Sequence, residues 1–243
     1  MTVISVDLSL EQYHDMGVVA LRTADSGIGV VPIDLGSVGL IGVPKADDLS
    51  SFLASLAAEL NAEFIFVDGP QGWKAPDDGL DHSRRCEHEL GTPSRTGLPG
   101  ETKPADYEAY AEFSVKLFDE LNTLMFPRLS TTGNWPTHVT VESYPTAAWH
   151  SLGIAALPHN GTATIDDAAK SLGELKGCFP LDLRGELSPA ELQATVAGMA
   201  GVALERRNLA GLAFAGVEPM LVDGTWREGY ILSPTRDAAN LPA

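Results

Sequence analysis

The sequence predicts an α/β fold: a mixed five-stranded sheet, made of a three-stranded antiparallel meander plus parallel strands, flanked by helices. Three observations predict it. The first 35 residues hold three runs rich in Val and Ile with turns between them; an amphipathic helical stretch then leads into a short apolar run that stops at Asp-Gly-Pro; and a second helix-to-strand unit follows farther along. With 44% hydrophobic residues in 243, the chain can bury a substantial core, and residues 1–243 read as a single domain with a long loop insertion around 69–104.

The three opening runs are Thr2 to Leu8, Met16 to Thr23 and Gly27 to Asp34, with Ala24-Asp25-Ser26-Gly27 as one of the turns between them. Asp47 to Leu60 places Leu49, Phe52, Leu53, Leu56, Ala57 and Leu60 at helical spacing, with acidic residues at its start, which predicts an amphipathic helix. Glu63 to Val67 (EFIFV) is nearly all apolar and ends at Asp68-Gly69-Pro70, as a buried parallel strand opening into a functional loop would. Residues 69–104 are rich in Gly, Pro and charge, with one short helix expected at Ser83 to Leu90; a connection of that length is usually a lid or substrate loop. Apolar residues from Tyr107 to Leu124 recur every three or four positions and predict a helix over Pro104 to Phe126, closed by Pro127. His138 to Glu142 alternates as a strand, Ser143-Tyr144-Pro145 leads into a helix reaching Leu152, Pro189 to Ala215 reads as helix with a break near Gly201, and Gly229 to Leu232 is a final strand.

Charge narrows the function. Sixteen Lys and Arg against 33 Asp and Glu leave −17, a field that repels phosphate backbones and excludes a generic basic nucleic-acid coat protein. It leaves room for an enzyme that recruits divalent cations to carboxylates and lets the ion meet the phosphate. Two cysteines, Cys86 and Cys178, are too few for a disulfide framework or a Cys-ligated zinc site. The start MTVISVDLSLEQYHD has no basic region before an apolar stretch, and no segment approaches the roughly 18 apolar residues of a spanning helix, so a cytoplasmic protein without membrane contact is expected. The oligomeric state is left open by the sequence.

Three strands carry one isolated carboxylate each among apolar residues: Asp7 in VISVDLS, Asp68 in FIFVDGP and Glu142 in VTVESYP. Singly, each also reads as an exposed strand end or a turn-forming residue. If the strands lie parallel and adjacent, as right-handed crossovers allow, the carboxylates converge on one crevice. They then repel one another unless they bind a cation or a proton, and neither flank supplies an obvious Lys or Arg partner. Oxygen-only ligation suits Mg²⁺ or Mn²⁺, and two such ions ~4 Å apart would stabilise the attacking and leaving oxygens of an in-line phosphoryl displacement.

These residues carry a resemblance. The order strand-strand-strand-helix-strand-helix-strand-helix, with Asp near the end of the first strand, is similar to the ribonuclease H-like fold. More narrowly, VDGPQGW, SRRCEHELG, VESYPTAAWHSLG and EGYILSP resemble the domain-of-unknown-function 429 family, described as predicted ribonuclease H-like nucleases. The resemblance implies a metal-dependent nuclease acting on nucleic acid, with Asp7, Asp68 and Glu142 as catalytic metal ligands for Mg²⁺ or Mn²⁺. The family commonly adds a last Asp opening an Ala-rich helix before the final strand. Two stretches could match it, around Gln193 and around Asn208, and an amide stands there in either case; Glu205, on the same helical face as Asn208, is the one neighbouring Glu placed to substitute. An amide oxygen ligates a cation without neutralising it, so a second ion would bind more weakly.

Arg84 and Arg85, beside Cys86 with His82 and His88 nearby, resemble the family's helix next to the loop and are expected to offer guanidinium to a substrate phosphate; a solvated helix face paired with Glu87 and Glu89 weighs about equally. Residues 70–104 hold five basic and six acidic residues, a near-neutral stretch in an acidic chain where an anion approaches most easily. Cys86 reads as packing rather than as a nucleophile. The main alternative is a catalytically degenerate ribonuclease H-like binding or interaction module. An actin-like phosphotransferase fits less well, because Leu8-Ser9-Leu10-Glu11 lacks the glycines of a phosphate hairpin.

Overall fold

The computed structural model describes residues 2–24, 27–133, 135–158 and 162–239, so Asp25 and Ser26 of the expected hairpin turn lie outside the described residues. The opening runs form the meander: β1 (Thr2–Asp7) pairs antiparallel with β2 (Gly17–Ala24), and β2 with β3 (Gly27–Pro32). Helix α1 (Ala46–Leu60) then crosses back to β4 (Ala62–Asp68), which lies parallel to β1. After α2 (Arg85–Leu90) and α3 (Glu108–Thr123), β5 (Val139–Ser143) adds parallel to β4. Helices α4 (Pro145–Leu152) and α5 (Ile165–Cys178) lead to β6 (Leu181–Leu183) and α6 (Pro189–Glu205), and the hairpin of β7 (Leu212–Val222) and β8 (Thr225–Pro234) completes the sheet. The sheet order is β6-β3-β2-β1-β4-β5-β8-β7.

The sheet therefore has eight strands and not five. The expected mixed α/β core, β3-β2-β1-β4-β5, stands at its centre. Outside that core lie β6 and the terminal hairpin, whose second strand, β8, contains the final strand expected at Gly229 to Leu232. β6 is only three residues long, too short to show alternation. Leu212 to Ala215 is Ala-rich and was expected to be the end of a helix; instead Arg207 turns left-handed (φ 54°), Asn208 caps a short 3-10 turn, and the chain leaves as an edge strand. Helix α5 also went unread, although Thr164 and Asp167 form a reciprocal capping box at its start.

Helices cover both faces of the sheet. On one, α1 and α3 bury Leu49, Leu53, Leu117, Phe118 and Leu121 against Ile4, Val6, Ile65 and Val67. On the other, α6 is wedged between the sheet and helices α4 and α5, and every residue from Leu192 to Leu204 is buried. That explains an apolar composition without a polar stripe. It also explains Gly201, where a helix break was expected: the helix runs through it, and an added Cβ would stand 2.5 Å from Val3 Cγ1 and 2.7 Å from Phe66 Cε2. Gly201 is there for close helix–sheet approach. Gly201→Ala is expected to destabilise by about 1–3 kcal/mol through overpacking, against the roughly 1 kcal/mol that helix propensity alone would return; an unchanged or higher urea midpoint would contradict this packing. No helix among the described residues is long and apolar enough to cross a membrane.

Candidate functional site

Strand register builds the site. Asp7, Asp68 and Ser143 are the last residues of β1, β4 and β5, and the register pairs Asp7 with Asp68 and Asp68 with Ser143. Three neighbouring parallel strands thus end in one row at their carboxyl edge, where an open α/β sheet places a crevice. Asp7 is 2% exposed and hydrogen-bonded through its carboxyl to Asp68, which is partly open to the crevice. Burial, then the Asp7 charge and hydrogen bond, then Glu142 push the Asp68 carboxyl well above the usual carboxylate range, and the Tyr110 hydroxyl pulls the other way. That hydroxyl also donates to the Asp68 backbone carbonyl at 2.6 Å, fixing the strand end. Ser143 is buried, and its Oγ has no hydrogen-bond partner among the described residues.

Glu142 is out of phase with this row. It stands opposite Val67 and Ile231, and because strand side chains alternate, it leaves β5 on the face opposite Ser143. There it meets Arg84, the basic partner that its sequence neighbourhood does not reveal: Nη1 donates to Oε2 at 2.8 Å and Nη2 to Oε1 at 2.6 Å, while the Gln71 backbone N–H donates to Oε2 at 2.9 Å. Arg84 is 1% exposed and also donates from Nε to Glu87 at 3.0 Å. Burial opposes its charge, yet Cys86, Glu142 and Glu87 together outweigh the burial and shift the guanidinium upward. Glu87 itself accepts from the Thr96 backbone N–H at 3.1 Å and from the Thr96 hydroxyl. The guanidinium expected to meet a phosphate is therefore held between two carboxylates. Arg85 points its backbone N–H at Glu228 (2.7 Å) and does not line the crevice. Burial pushes the Cys86 thiol well up, in keeping with a packing role.

The crevice is a cleft of about 610 Å³ with Asp7, Asp68, Glu142 and Ser143 at its floor. Its walls come from Tyr107 and Tyr110 of the α3 region, from Leu90 to Ser94, from Tyr144, Thr146 and His150 around α4, and from Gln193. Helix α6 begins at this edge, since a Cβ on Gly17, the register partner of Asp7, would stand 2.1 Å from the Ala190 backbone. Of the three residues considered for a fourth ligand, only Gln193 reaches the cleft, and its Oε1 accepts from Trp149 Nε1 at 2.7 Å. Glu205 ends the same helix about 18 Å farther along at 1.5 Å per residue, where it accepts from the Thr23 hydroxyl at 3.0 Å. Asn208 caps the turn beyond it, donating to the Asp237 carbonyl at 2.9 Å.

Two further buried residues, Glu228 and Arg128, hold the long insertion in place. Glu228, 1% exposed, accepts from the Ala75 and Arg85 backbone N–H groups at 2.9 and 2.7 Å, although burial pushes its pKa up. Arg128 donates to the Gln71 carbonyl at 2.8 Å and to Asp119 at 2.7 Å, with its guanidinium 4.9 Å from the Trp226 ring centroid. Gln71 thus hangs between Arg128 and Glu142. Arg128 carries no local motif, and Glu228 opens the EGYILSP motif without its role showing there, so only tertiary pairing identifies what the two side chains do.

Among the described residues no group of three or more His, Cys, Asp or Glu side chains is arranged to hold a metal ion. Asp7 and Asp68, with the unpartnered Ser143 hydroxyl beside them, form an oxygen-only set that fits one hard divalent cation. Mg²⁺ in particular is commonly held by one or two carboxylates, with water and substrate phosphate completing its shell. Both Glu142 oxygens accept from Arg84, whose charge offsets the pull of that carboxylate on a second ion.

No family model matches the chain and no curated protein matches it in sequence, so the family resemblance rests on the short motifs quoted above. Among solved structures the chain is similar to the Thermus thermophilus RuvC structure, at 9% identity and a TM-score of 0.39, with 84% of this chain and 96% of that chain covered.

Proposed function

We propose that the protein is a divalent-cation-dependent phosphodiesterase, a nuclease of the ribonuclease H-like type, hydrolysing phosphodiester bonds of nucleic acid. The observation that carries this reading is the in-register Asp7–Asp68 pair at the carboxyl ends of adjacent parallel strands, Asp7 buried and Asp68 partly open to the cleft. Two coupled carboxylates under a cleft are costly to keep there unless a cation or a shared proton occupies them. Asp7 and Asp68 would hold Mg²⁺ or Mn²⁺, which supplies charge neutralisation at the phosphoryl oxygens and activation of water. Tyr110 keeps the Asp68 strand end in position. Glu142 adds negative potential beside Asp68 while Arg84 fixes where that charge sits. Arg84 is thus a positioning residue here, not a phosphate clamp.

The second reading, a degenerate module that binds without cleaving, is favoured by one specific feature: Glu142 and the Gln193 amide oxygen are both already occupied by protein donors. Incubation of labelled single-stranded, duplex and hybrid nucleic acids with Mg²⁺ or Mn²⁺ separates the two. Cation-dependent cleavage by the wild type, abolished by chelator, is the expected result. A folded protein that cleaves none of them in either ion supports the binding module instead.

A further inference from the structure

The cleft itself limits what can reach the carboxylates. Duplex nucleic acid is held chiefly by Lys and Arg on its phosphates. Among the described residues lining this cleft the only Lys or Arg is Arg84, and it is 1% exposed and paired to both Glu87 and Glu142. With Asp7 and Asp68 on the floor and −17 on the whole chain, a polyanion meets repulsion over its full length, whereas a single ester meets it once or twice. The cleft volume of about 610 Å³ lies in the range of small-molecule sites. Its walls carry Tyr107 and Tyr110, stacked with ring centroids 5.3 Å apart, and rings of this kind hold nucleobases by stacking. On the floor, beside Asp68, the buried Ser143 hydroxyl has no hydrogen-bond partner among the described residues.

We infer that this cleft takes one nucleotide-sized phosphodiester, a small nucleotide ester or the free end of a single strand, and that the Ser143 hydroxyl hydrogen-bonds to it; the inference rests on the phosphodiesterase reading and narrows its substrate. In the reaction water adds to phosphorus, the ester P–O bond breaks, and the released alkoxide takes up a proton, leaving a phosphate monoester and an alcohol.

The test uses the full chain with Mn²⁺ and four substrates: the p-nitrophenyl ester of thymidine 5′-phosphate, a linear single strand, a closed circular single strand and a closed circular duplex. The small ester and the linear strand are expected to be cleaved, the strand from its ends, with kcat/KM for the closed circles lower by at least about 100-fold. Calorimetric binding of thymidine 5′-monophosphate, with and without Mn²⁺, gives a readout apart from turnover. Ser143→Ala should weaken that binding about 5–10-fold, the range of one hydrogen bond, with the thermal midpoint unchanged or higher. Closed circles cleaved as well as the small ester would overturn the inference and leave the phosphodiesterase reading standing. Nucleotide binding weakened by Ser143→Ala, without cleavage of any substrate, would support the cleft assignment and remove the hydrolase. Absence of both binding and cleavage, or binding indifferent to Ser143→Ala, overturns the inference.

Discussion

Replacing Arg84 with Met is expected to destabilise the protein by about 3–5 kcal/mol, the cost of breaking a buried ion pair from one side. At about 2–4 °C per kcal/mol for a domain of this size, the thermal midpoint falls by at least about 6 °C. The reason lies in what remains. Glu142 is 2% and Glu87 4% exposed; without the guanidinium Glu142 keeps the Gln71 backbone N–H as a donor, and Glu87 keeps its Thr96 donors but loses the cation paired with it. Arg84→Lys retains the charge but lacks the planar fork that reaches both Glu142 oxygens and Glu87 together, so it should recover only part of the loss. The pairing of Arg84→Met with Glu142→Met, which leaves no uncompensated charge between those two positions, should be less destabilising than the sum of the single changes. Additive losses in urea unfolding would contradict a direct coupling between them.

Asp68→Asn should act in opposite directions on activity and on stability. Removing a carboxylate that holds the cation is expected to lower turnover by about 10²–10³-fold or more, the scale on which a single electrostatic contact to the reacting group matters. The cation-free protein should become more stable at neutral and alkaline pH. The Asp68 carboxyl is raised by burial and by Asp7, so the folded chain binds its proton more tightly than the unfolded chain does. Its contribution to stability is therefore fully present below the ordinary carboxylate range and is lost as pH rises through the raised folded value. Asn keeps the shape without the charge, which flattens that falling limb. Asp7→Asn should relieve the same repulsion. A wild-type midpoint that does not fall relative to Asp68→Asn over this window would show that the pair is not strained.

The central sheet was legible in the sequence because its strands carry strong local signals: three Val- and Ile-rich runs, the EFIFV segment after an amphipathic helix, and HVTVE. Asp7 and Asp68 were legible for the same reason, since each closes an apolar strand whose neighbour is fixed by the crossover. What failed depended on partners far along the chain. β7 looks helical until its pairing with β8 is known, and Gly201 looks like a breaker until Val3 and Phe66 are seen pressing on it. Glu142 shows the limit most clearly. Its strand and its position near the strand end were readable, but whether it falls in phase with Asp68 depends on register, and a one-residue offset sends its side chain to the other face. Its partner, Arg84, lies 58 residues earlier in the chain. Nothing local predicts that pairing, which braces the third of the three candidate carboxylates on a guanidinium.

The most direct measurement is isothermal titration of Mn²⁺ into the cation-free wild type, Asp7→Asn, Asp68→Asn and Glu142→Gln. One site per chain in the wild type is expected, lost in both Asp variants and retained, though weakened, in Glu142→Gln. No binding by the wild type at millimolar Mn²⁺, or binding that survives both Asp substitutions, would contradict a cation site built on the Asp7–Asp68 pair.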